Sequence, residues 1–512
     1  PLPGIPHNPV TTIWGDVPEL ARFIKGSGKI AADYFASMAV KHGPIFQIMA
    51  AKTPLVVIAD KAEYERMVLK TKSLEQSSWS TAVFGTVVPT SQLSQPTNDI
   101  WKRHRRLAGQ YMTRRYLERM SGRISDGASH LVRLWTRKVE LLGTRPFDAH
   151  EDLNLAILDT ILSITIGDTP RLIDALYTSL SASQSSLTSD TSSTKSLHFE
   201  LPPLPKSFRA MMQIIDYMLF APFPTRIARL LTWMTPSWRK SYHTLKNLLS
   251  NKIVEARALE SKLENAKQGE GLPTDGDCVV DMMAQREARE GAEPFEDEEL
   301  LDELITYVLG GHNTTTAALS WLLKYLTLDK DIQQRLHDEV CAAFGPGSDE
   351  CAPLDFNILN DSRRVPVLEA VVAETLRCAR TASVVCRDLI ADEVVQGRHI
   401  PKGTQVMFLA GYMSMLESDW GPDAKDWRPS RWLREDGSFN SSAGPSYPFG
   451  IGQRSCFGQR LAVFQMKTFV AVLSRAFMFK QVPPELDSWE STLKVHREPK
   501  SFYVSLEGWP AD

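Results

Sequence analysis

One segment constrains this chain more than any other, because it places a single cysteine between a glycine-rich turn and a strongly helical run. Residues 448–462 read Pro-Phe-Gly-Ile-Gly-Gln-Arg-Ser-Cys-Phe-Gly-Gln-Arg-Leu-Ala. Cys456 stands at the start of the helix, where unpaired backbone N–H groups favour a thiolate. Gly450 and Gly452 let the backbone pass close to a large flat partner, and Arg454 can pair with an anionic group on it. The alternative, a buried cysteine in a glycine turn, explains neither the arginine nor the paired glycines.

The composition is that of a globular protein with a large core. The chain has 512 residues, of which 43% are hydrophobic and 23% charged, and these values exclude a fibrous or wholly disordered protein. Its 58 Lys and Arg residues nearly balance 61 Asp and Glu residues, which argues against a dedicated nucleic-acid binder. The 6 cysteines are too few for a disulfide framework, and they show no zinc spacing. Length alone predicts about three or four domains.

Apolar spacing predicts a mainly α fold with a small β region. Residues 45–49 and 55–58 form a predicted hairpin. Further strands are expected at 388–400 and 404–409, and helices are expected from Trp101, over 298–328 and over 366–379. No uninterrupted apolar run reaches the roughly 18 residues that a membrane span needs.

Several polar or proline-rich segments interrupt this pattern. Residues 80–98 are predicted to form a long loop that is functional or mobile. Residues 178–207, rich in Ser and Thr, and residues 266–277 are predicted to be flexible connections. Residues 1–6 form a proline-rich leader, which is either a flexible terminus or a hinge that followed an N-terminal anchor.

The long helix over 298–328 is interrupted by Gly-Gly-His-Asn-Thr-Thr-Thr at 310–316. Each glycine in a helix interior costs roughly 1 kcal/mol relative to alanine, and a core helix gains nothing from that cost. The interruption therefore predicts a local distortion that opens space beside the helix.

The cysteine segment resembles the haem-binding signature of the cytochrome P450 superfamily, Phe-Gly-x-Gly-x-Arg-x-Cys-x-Gly, at every fixed position. The resemblance implies the cytochrome P450 fold, with one large domain over residues 7–512 wrapped around a buried haem b. It also implies that Cys456 is the axial thiolate ligand of the haem iron. Other haem contacts implied by the family pattern are Phe449, Gly450, Arg454, Gly458, Trp101 and Arg105 of a Trp-x-x-x-Arg motif, and Arg387.

A second pair of motifs resembles the segment that supports the haem loop in this family. Glu374 and Arg377 match Glu-x-x-Arg, and their spacing of three places both charges on one helix face. Residues 427–432 are similar to Phe-x-Pro-Glu-Arg-Phe, so Arg431 is expected to complete a structural Glu-Arg-Arg triad. Tryptophan replaces both aromatic positions of that segment and serine replaces the acid. Arg380 stands where the family often has proline.

Residues 310–315 resemble the distal-helix motif (Ala/Gly)-Gly-x-(Asp/Glu)-Thr-(Thr/Ser), which implies that Asn313, Thr314 and Thr315 form the catalytic set. The motif provides a widened groove for O2 and a chain of hydroxyls and water that delivers protons. Asn313 departs from the pattern, because an amide cannot ionise or relay a proton as a carboxylate does. We therefore predict that proton delivery bypasses residue 313, through Thr314, Thr315, water or the substrate. The alternative is that asparagine is a tolerated substitute.

The function that the resemblance implies is a haem-thiolate monooxygenase, which oxidises a sizeable apolar or aromatic substrate with O2 and two electrons from NADPH. The electron donor is expected to be a separate NADPH-cytochrome P450 reductase, with cytochrome b5 as a further candidate. A basic face is expected to receive that donor, although a solvated basic helix is an equal alternative; its residues are Lys102, Arg103, Arg106, Arg114 and Arg115.

The leader resembles the hinge of microsomal members, which predicts an enzyme on the cytosolic face of the endoplasmic reticulum membrane, attached by an N-terminal anchor. The Ser/Thr insertion and the Gly-Gly-His motif are similar to those of fungal secondary-metabolism members. Substrate contacts are expected from the 80–98 loop, from the distal helix and from Thr381–Val385; the individual residues are Phe84, Ile305, Val308, Leu309, His312, Ala382, Ser383 and Val384. Two alternatives remain open: oxidative coupling, cyclisation or isomerisation without oxygen insertion, and a haem-binding sensor or carrier.

Overall fold

Helices make up most of the molecule, as the apolar spacing predicts. The computed structural model describes residues 1–27, 29–167, 170–182, 201–220, 225–266, 276–289, 291, 293–347, 354–493 and 496–510. Within them the α-helices are α1 (Val17–Ser27), α2 (Ala31–His42), α3 (Lys61–Lys70), α4 (Ser78–Phe84), α5 (Asp99–Gly109), α6 (Arg114–Leu142), α7 (His150–Ile166), α8 (Leu172–Ala182), α9 (Pro203–Phe220), α10 (Thr225–Met234), α11 (Pro236–Ala266), α12 (Val279–Arg289), α13 (Asp297–Gly311), α14 (Asn313–Leu326), α15 (Lys330–Phe344), α16 (Phe356–Leu359), α17 (Pro366–Ala379), α18 (Ala410–Met413), α19 (Glu417–Trp420) and α20 (Gln459–Ala476). Short 3-10 turns cover Gln110–Met112 and Pro429–Trp432.

The strands are short and gather in small sheets. They are β1 (Ile45–Ala50), β2 (Thr53–Ile58), β3 (Leu74–Gln76), β4 (Phe147–Asp148), β5 (Val385–Leu389), β6 (Glu393–Val395), β7 (Arg398–Ile400), β8 (Gln405–Phe408), β9 (Met478–Lys480), β10 (Ser491–Leu493), β11 (Arg497–Pro499) and β12 (Tyr503–Glu507). One sheet has the order β1-β2-β8-β5-β3, a second has the order β4-β12-β9, and β6-β7 and β10-β11 form separate pairs. The predicted hairpin is confirmed, because β1 pairs antiparallel with β2 and Ile45 lies opposite Ile58.

The core is helical and is centred on α7, whose residues from Asp152 to Ile166 are buried almost without exception. α7 packs on α6, α13 and α14, and α20 packs on α6, α15 and α17. The mainly α fold with a small β region is therefore confirmed. The helix predicted over residues 366–379 has the bounds of α17.

The long helix predicted over 298–328 is present but broken at His312. His312 has φ -82° and ψ -81°, so it ends α13 and precedes α14. The two glycines before it have different surroundings. A Cβ at Gly311 would lie 2.6 Å from Cδ1 of Ile161 on α7, whereas a Cβ at Gly310 would meet nothing within 4 Å. The break thus combines close helix packing on one side with open space on the other.

The structure corrects several loop predictions. Residues 78–84 form α4, so the loop predicted at 80–98 begins with helix, capped by Ser77, which accepts from the backbone N–H of Ser80. Of the segment predicted to be flexible at 178–207, residues 178–182 belong to α8 and residues 203–207 to α9, while 183–200 lie outside the described residues. The second flexible segment, 266–277, is described only at its ends.

The proline-rich leader is docked on β1 rather than loose. The side-chain amide of Gln47 accepts from the backbone N–H of Leu2 at 2.8 Å and donates to the carbonyl of Ile5 at 2.8 Å. Ile5 itself is buried. Among the described residues, no helix has both the length and the hydropathy to cross a bilayer.

Candidate active site

A cavity of about 470 Å³ lies at the junction of the elements that carry the predicted motifs. Its walls come from α5, from α13 and α14 around the break, from residues between 381 and 387, and from the cysteine loop before α20. Every haem contact predicted from the motifs lines it: Cys456, Arg454, Trp101, Arg105, Arg387, Phe449, Gly450 and Gly458. The fold therefore brings together residues that lie more than 300 positions apart in the sequence.

The cysteine loop is a tight turn that requires glycine. Gly450 and Gly452 adopt φ 65° and 76°, in the left-handed region that favours glycine. A Cβ at Gly452 would also lie 2.7 Å from Cγ1 of Val68, so this position needs glycine for space as well. The backbone N–H of Cys456 donates to the carbonyl of Phe449 at 2.8 Å, which closes the turn.

Among the described cysteines only Cys456 is exposed, and its accessible surface lies in the wall of the cavity, where protein atoms surround the thiol. Burial raises the pKa of its thiol, and a hydrogen bond from the Gly458 backbone and the charge of Arg105 lower it in part. The sequence predicted that the start of α20 would favour the thiolate. Gly458, whose backbone N–H bonds the thiol, is the N-cap of α20, so the start of the helix does favour the thiolate, but burial is the larger effect and the net shift of the pKa is upward.

Three partly buried arginines line one side of the cavity. Arg105 donates to the carbonyl of Ser455 at 2.9 Å, and Arg387 donates to its neighbouring carbonyl at 2.7 Å. Neither forms a salt bridge with a carboxylate of the described chain, and Arg454 has only Glu75, at 3.6 Å. Burial lowers the pKa of all three guanidinium groups, and that of Arg454 falls to about 10, with repulsion from the other two arginines contributing.

This arrangement fits the group that the resemblance implies. Three positive side chains without adequate counter-charges require anions, and the two propionates of a haem supply them. Arg454 lies 4.1 Å from the ring centroid of Trp101, and Arg105 lies 4.9 Å from that of Phe457, so both guanidinium groups are held in place by aromatic faces. A sulfur ligand, a cationic rim and a cavity of this size are the features that a flat, anionic, iron-bearing cofactor needs.

The structure assembles the predicted Glu-Arg-Arg triad. The buried carboxylate of Glu374 accepts from Arg377 at 2.7 and 2.8 Å and from Arg431 at 3.1 Å. Burial alone would lower the pKa of Arg377, but its bonds to Glu374 outweigh this effect and raise it. Arg380, in the position where the family often has proline, ends α17 in the left-handed region with φ 48°.

The three residues of the predicted catalytic set are not equivalent. Thr314 and Thr315 line the cavity; Thr314 donates to the carbonyl of Gly310 at 2.8 Å, and the buried hydroxyl of Thr315 has no partner among the described residues. Asn313 does not line the cavity. Its side-chain oxygen instead accepts from the amide of Asn154 on α7 at 3.4 Å.

Only two of the predicted substrate contacts, Ala382 and Val384, line the cavity. Phe84, Ile305, Val308 and Leu309 pack into the helical core instead, because they lie on the sides of α4 and α13 that face other helices. His312 is buried with its Nε2 3.0 Å from the carbonyl of Asn154. Ser383 turns its hydroxyl to a backbone carbonyl, that of Arg380.

The cavity wall also contains polar residues that sequence reasoning missed. Thr306, Gln465 and His496 line it, and each has a buried polar atom without a partner among the described residues. Thr381, at the start of the segment Thr381–Val385 that was expected to contact the substrate, also lines the cavity, and its hydroxyl likewise has no partner among the described residues. The spacing of Thr306, two turns before Thr314 on the same helical stretch, could have identified it. No sequence signal pointed to His496, since it lies near the end of the chain, 40 residues beyond Cys456.

The predicted basic face is partly neutralised by its neighbours. Arg103 pairs with Glu293 and Glu299 at 2.6 Å, and Arg106 pairs with Glu293 at 2.8 Å. Lys102 pairs with Asp99 at 3.0 Å, but both side chains remain well exposed. Arg114 lines a separate groove of about 450 Å³ between α6, α16 and α20. The exposed Gln459 and Arg460, at the start of α20, line the same groove.

Comparison with known proteins gives a consistent match along the chain. The family model described as Cytochrome P450 matches residues 6–506. A cytochrome P450 monooxygenase of Pestalotiopsis microspora is 29% identical, with 98% of this chain and 93% of the relative covered. A cytochrome P450 monooxygenase of Fusarium sporotrichioides is 27% identical, with 99% and 95% covered. Another, from Penicillium crustosum, is 26% identical, with 99% and 92% covered.

Proposed function

The chain belongs to the cytochrome P450 family, and from that premise we propose that it is a haem-thiolate monooxygenase acting on a sizeable apolar or aromatic substrate. It uses O2 and two electrons from NADPH, supplied by a separate reductase. One observation carries this proposal: Cys456 lines the same cavity as three arginines that have, among the described residues, only one carboxylate partner between them. When bound there, a haem supplies the chemistry of oxygen activation.

The protein's own residues have separable tasks in this proposal. Cys456 would ligate the iron, while Arg105, Arg387 and Arg454 would hold the propionates and fix the orientation of the ring. Thr314 would position a proton-carrying water at the break between α13 and α14, because its hydroxyl sits at the cavity wall. Proton delivery would then bypass Asn313, whose amide faces α7.

The substrate class follows from the rest of the wall. Apolar side chains of Leu93, Met112, Ala318 and Leu376 contribute to the lining, which favours a molecule with a large apolar body. The compared relatives are fungal monooxygenases, which supports a role in fungal secondary metabolism.

The proposed electron donor is NADPH-cytochrome P450 reductase, with cytochrome b5 as a further candidate. The exposed Lys102 and the groove that contains Arg114 offer cationic contacts near the cysteine loop for an acidic partner. We propose that the enzyme works on the cytosolic face of the endoplasmic reticulum membrane, as microsomal members of the family do.

The carbon-monoxide difference spectrum of the reduced protein tests the haem-thiolate assignment. A Soret band at about 450 nm is expected for the wild type. Cys456→Ser should lose that band, whereas Cys386→Ser, a matched change at the other cavity-lining cysteine, should retain it. A band that survives in Cys456→Ser overturns the assignment.

A second candidate is oxidative coupling or ring closure without oxygen insertion. The observation that favours it is that Asn313, where the family pattern has an acid, does not line the cavity. Product mass after turnover with a reductase separates the two functions: one added oxygen indicates monooxygenation, and the loss of two hydrogens indicates coupling. If NADPH is not consumed with candidate substrates, a carrier or sensor is the better description.

A further inference from the structure

A histidine–carboxylate pair lies at the wall of the cavity, outside the motifs of the family. His496 precedes β11 and lines the cavity, and Glu498 lies within that strand. Nε2 of His496 is 3.0 Å from Oε2 of Glu498, and both residues are buried. The other oxygen of Glu498 accepts from the hydroxyl of Thr492 at 3.3 Å. The carboxylate is therefore held by donors on both sides.

The other ring nitrogen of His496 is left for a ligand. Nδ1 is buried and has no hydrogen-bond partner among the described residues. A buried polar atom without a partner costs about 1–3 kcal/mol, so a structure that keeps one in a cavity wall is poised to recover that energy by binding. The exposed fraction of the whole residue is only 2%, and among the described residues it is the cavity that gives a ligand access to it.

Glu498 also decides what kind of ligand Nδ1 can take. Because the carboxylate only accepts hydrogen bonds, it fixes the proton of a neutral imidazole on Nε2. Nδ1 then carries a lone pair and acts as an acceptor. A ligand of the neutral ring therefore donates a hydrogen bond to Nδ1, as a hydroxyl group does. The negative charge of Glu498 behind the ring disfavours a substrate carboxylate at the same place.

A second unpartnered group lies on the segment that is hydrogen-bonded to the residue after this histidine. The backbone N–H of Arg497 donates to the carbonyl of Thr381 at 3.0 Å, which ties the residue after His496 to the segment after α17. Thr381 also lines the cavity, and its buried hydroxyl has no partner among the described residues. A hydroxyl can donate as well as accept, so it complements a histidine nitrogen that only accepts.

We propose that His496 and Thr381 form a binding site for a hydroxyl group on the substrate, with the hydroxyl donating to Nδ1 of His496 and accepting from Thr381. This inference rests on the proposed function, because it places the substrate in the same cavity as the haem. The apolar body of the substrate occupies the rest of the cavity, and the hydroxyl fixes its orientation. His496 is thus a positioning residue for an alcohol or phenol, with Glu498 acting through it.

The test uses haem-coordinating probes, so that no natural substrate is needed. The probes are 1-alkylimidazoles of graded chain length and their analogues in which the terminal methyl is replaced by hydroxyl. Each binds through its imidazole nitrogen to the iron and gives a type II spectral shift, from which a Kd is obtained. The ratio of hydroxyl to methyl Kd is measured for wild type, His496→Leu, His496→Asn and Thr381→Val. His337→Leu is the control, since His337 stacks on Trp509 at 3.9 Å and does not line the cavity.

At the chain length that reaches His496, the wild type should prefer the hydroxyl probe. His496→Leu should weaken that preference by about threefold to tenfold, the value of one hydrogen bond. His496→Asn should keep most of it, because the asparagine oxygen replaces Nδ1 as an acceptor. Thr381→Val should weaken it in the same direction, and His337→Leu should leave it unchanged.

Two failures can be distinguished. If the alkyl probes give no type II shift and the band near about 450 nm is missing, the haem assignment fails. If the shift is present but no chain length shows a hydroxyl preference in the wild type, the hydroxyl site is wrong. The same holds if His496→Leu retains that preference. If His496→Leu does not fold, the hydroxyl site is tested by the wild-type probe series together with His496→Asn and Thr381→Val.

Discussion

The indole Nε1 of Trp432 donates a hydrogen bond of 2.9 Å to Oε2 of Glu374, the carboxylate at the centre of the triad. The family pattern has phenylalanine at this position, which offers no such donor. A second tryptophan, Trp427, donates at 3.0 Å to the hydroxyl of Thr375 on the same helix. Both tryptophans are buried. The divergent segment therefore compensates for its departure from the pattern by adding two N–H donors that tie it to α17.

These two hydrogen bonds differ in the charge of the acceptor. Removing them should therefore lower the free energy of unfolding by different amounts. Trp432→Phe removes a donor from a carboxylate and Trp427→Phe removes one from a neutral hydroxyl, whereas the change in volume is the same. Hydrogen bonds to charged groups are the stronger ones, so Trp432→Phe should lower the free energy of unfolding by about 1 kcal/mol more than Trp427→Phe. Urea unfolding of both variants measures the difference. Equal losses would show that Glu374 is satisfied by its arginines alone.

A buried ion pair joins α5 to the distal helix and predicts a dependence of stability on pH. Nδ1 of His104 is 2.8 Å from Oε1 of Glu303, and Nε2 is 3.2 Å from Glu299. Burial alone would lower the pKa of His104, but the two carboxylates outweigh it and raise the pKa above the usual 6.5. Arg103 also contacts Glu299, at 2.6 Å, and the charges of Arg105 and Asp302 act on Glu303 as well.

Because the pKa of His104 is raised in the folded state, its contribution is fully present below pH 6.5 and is lost as the pH rises through the folded pKa. The difference in unfolding free energy between wild type and His104→Asn should therefore shrink as the pH rises from about 6 to 9. Asparagine keeps a donor for Glu303 but cannot carry the charge. Urea titrations across this range test the prediction, and a difference that stays constant with pH would contradict it.

His312 should show the opposite sign. Burial lowers its pKa to about 3 from the usual 6.5. Between these two values His312 is neutral in the folded protein and protonated in the unfolded chain. Its contribution is present above pH 6.5 and is lost as the pH falls. Glutamine can place an amide N–H where Nε2 donates to Asn154, without titrating. Between about pH 6 and 5, the wild type should lose about 1 kcal/mol more than His312→Gln, measured by urea unfolding. Parallel losses in the two proteins would contradict this.

The sequence was sufficient for features that depend on local periodicity or on fixed motif spacing. The hairpin of β1 and β2, the bounds of α17 and the break in the distal helix all follow from apolar spacing and the placement of glycine. The cavity contacts of Cys456 and of the arginines follow from motifs in which spacing encodes geometry. Each of these features is encoded within one continuous segment of the sequence.

Contacts between distant segments could not be predicted in this way. Ile305 and Val308 were expected at the cavity because they precede the distal motif, but the rotation of α13 turns them toward other helices. The pair His104–Glu303 joins residues 199 positions apart, and His496 reaches the cavity only because β11 is tied to the segment after α17. The side of a helix that faces a cavity is fixed by packing, which the order of residues alone does not reveal.

The side chain of Asn313 is directed toward α7, and this predicts little effect of residue 313 on proton delivery. Its amide faces Asn154 at 3.4 Å and does not line the cavity, whereas Thr314, one position later, does. Asn313→Asp preserves the oxygen that accepts from Asn154 and adds a group that can ionise. If proton delivery bypasses this position, the rate of reductase-supported NADPH oxidation and its solvent isotope effect should change by less than about twofold, against the hundredfold or more that a general acid–base group supplies.

Thr314→Val is the matched change in the same motif, because valine preserves the shape of threonine and removes the hydroxyl that donates to Gly310 at the cavity wall. It should divert most of the electrons from product to released hydrogen peroxide, and it should alter the solvent isotope effect. Both variants are compared by NADPH oxidation and peroxide release in H2O and D2O, with the band near about 450 nm as the check that haem is bound. A large effect of Asn313→Asp with a small effect of Thr314→Val would reverse the assignment and place residue 313 on the proton route.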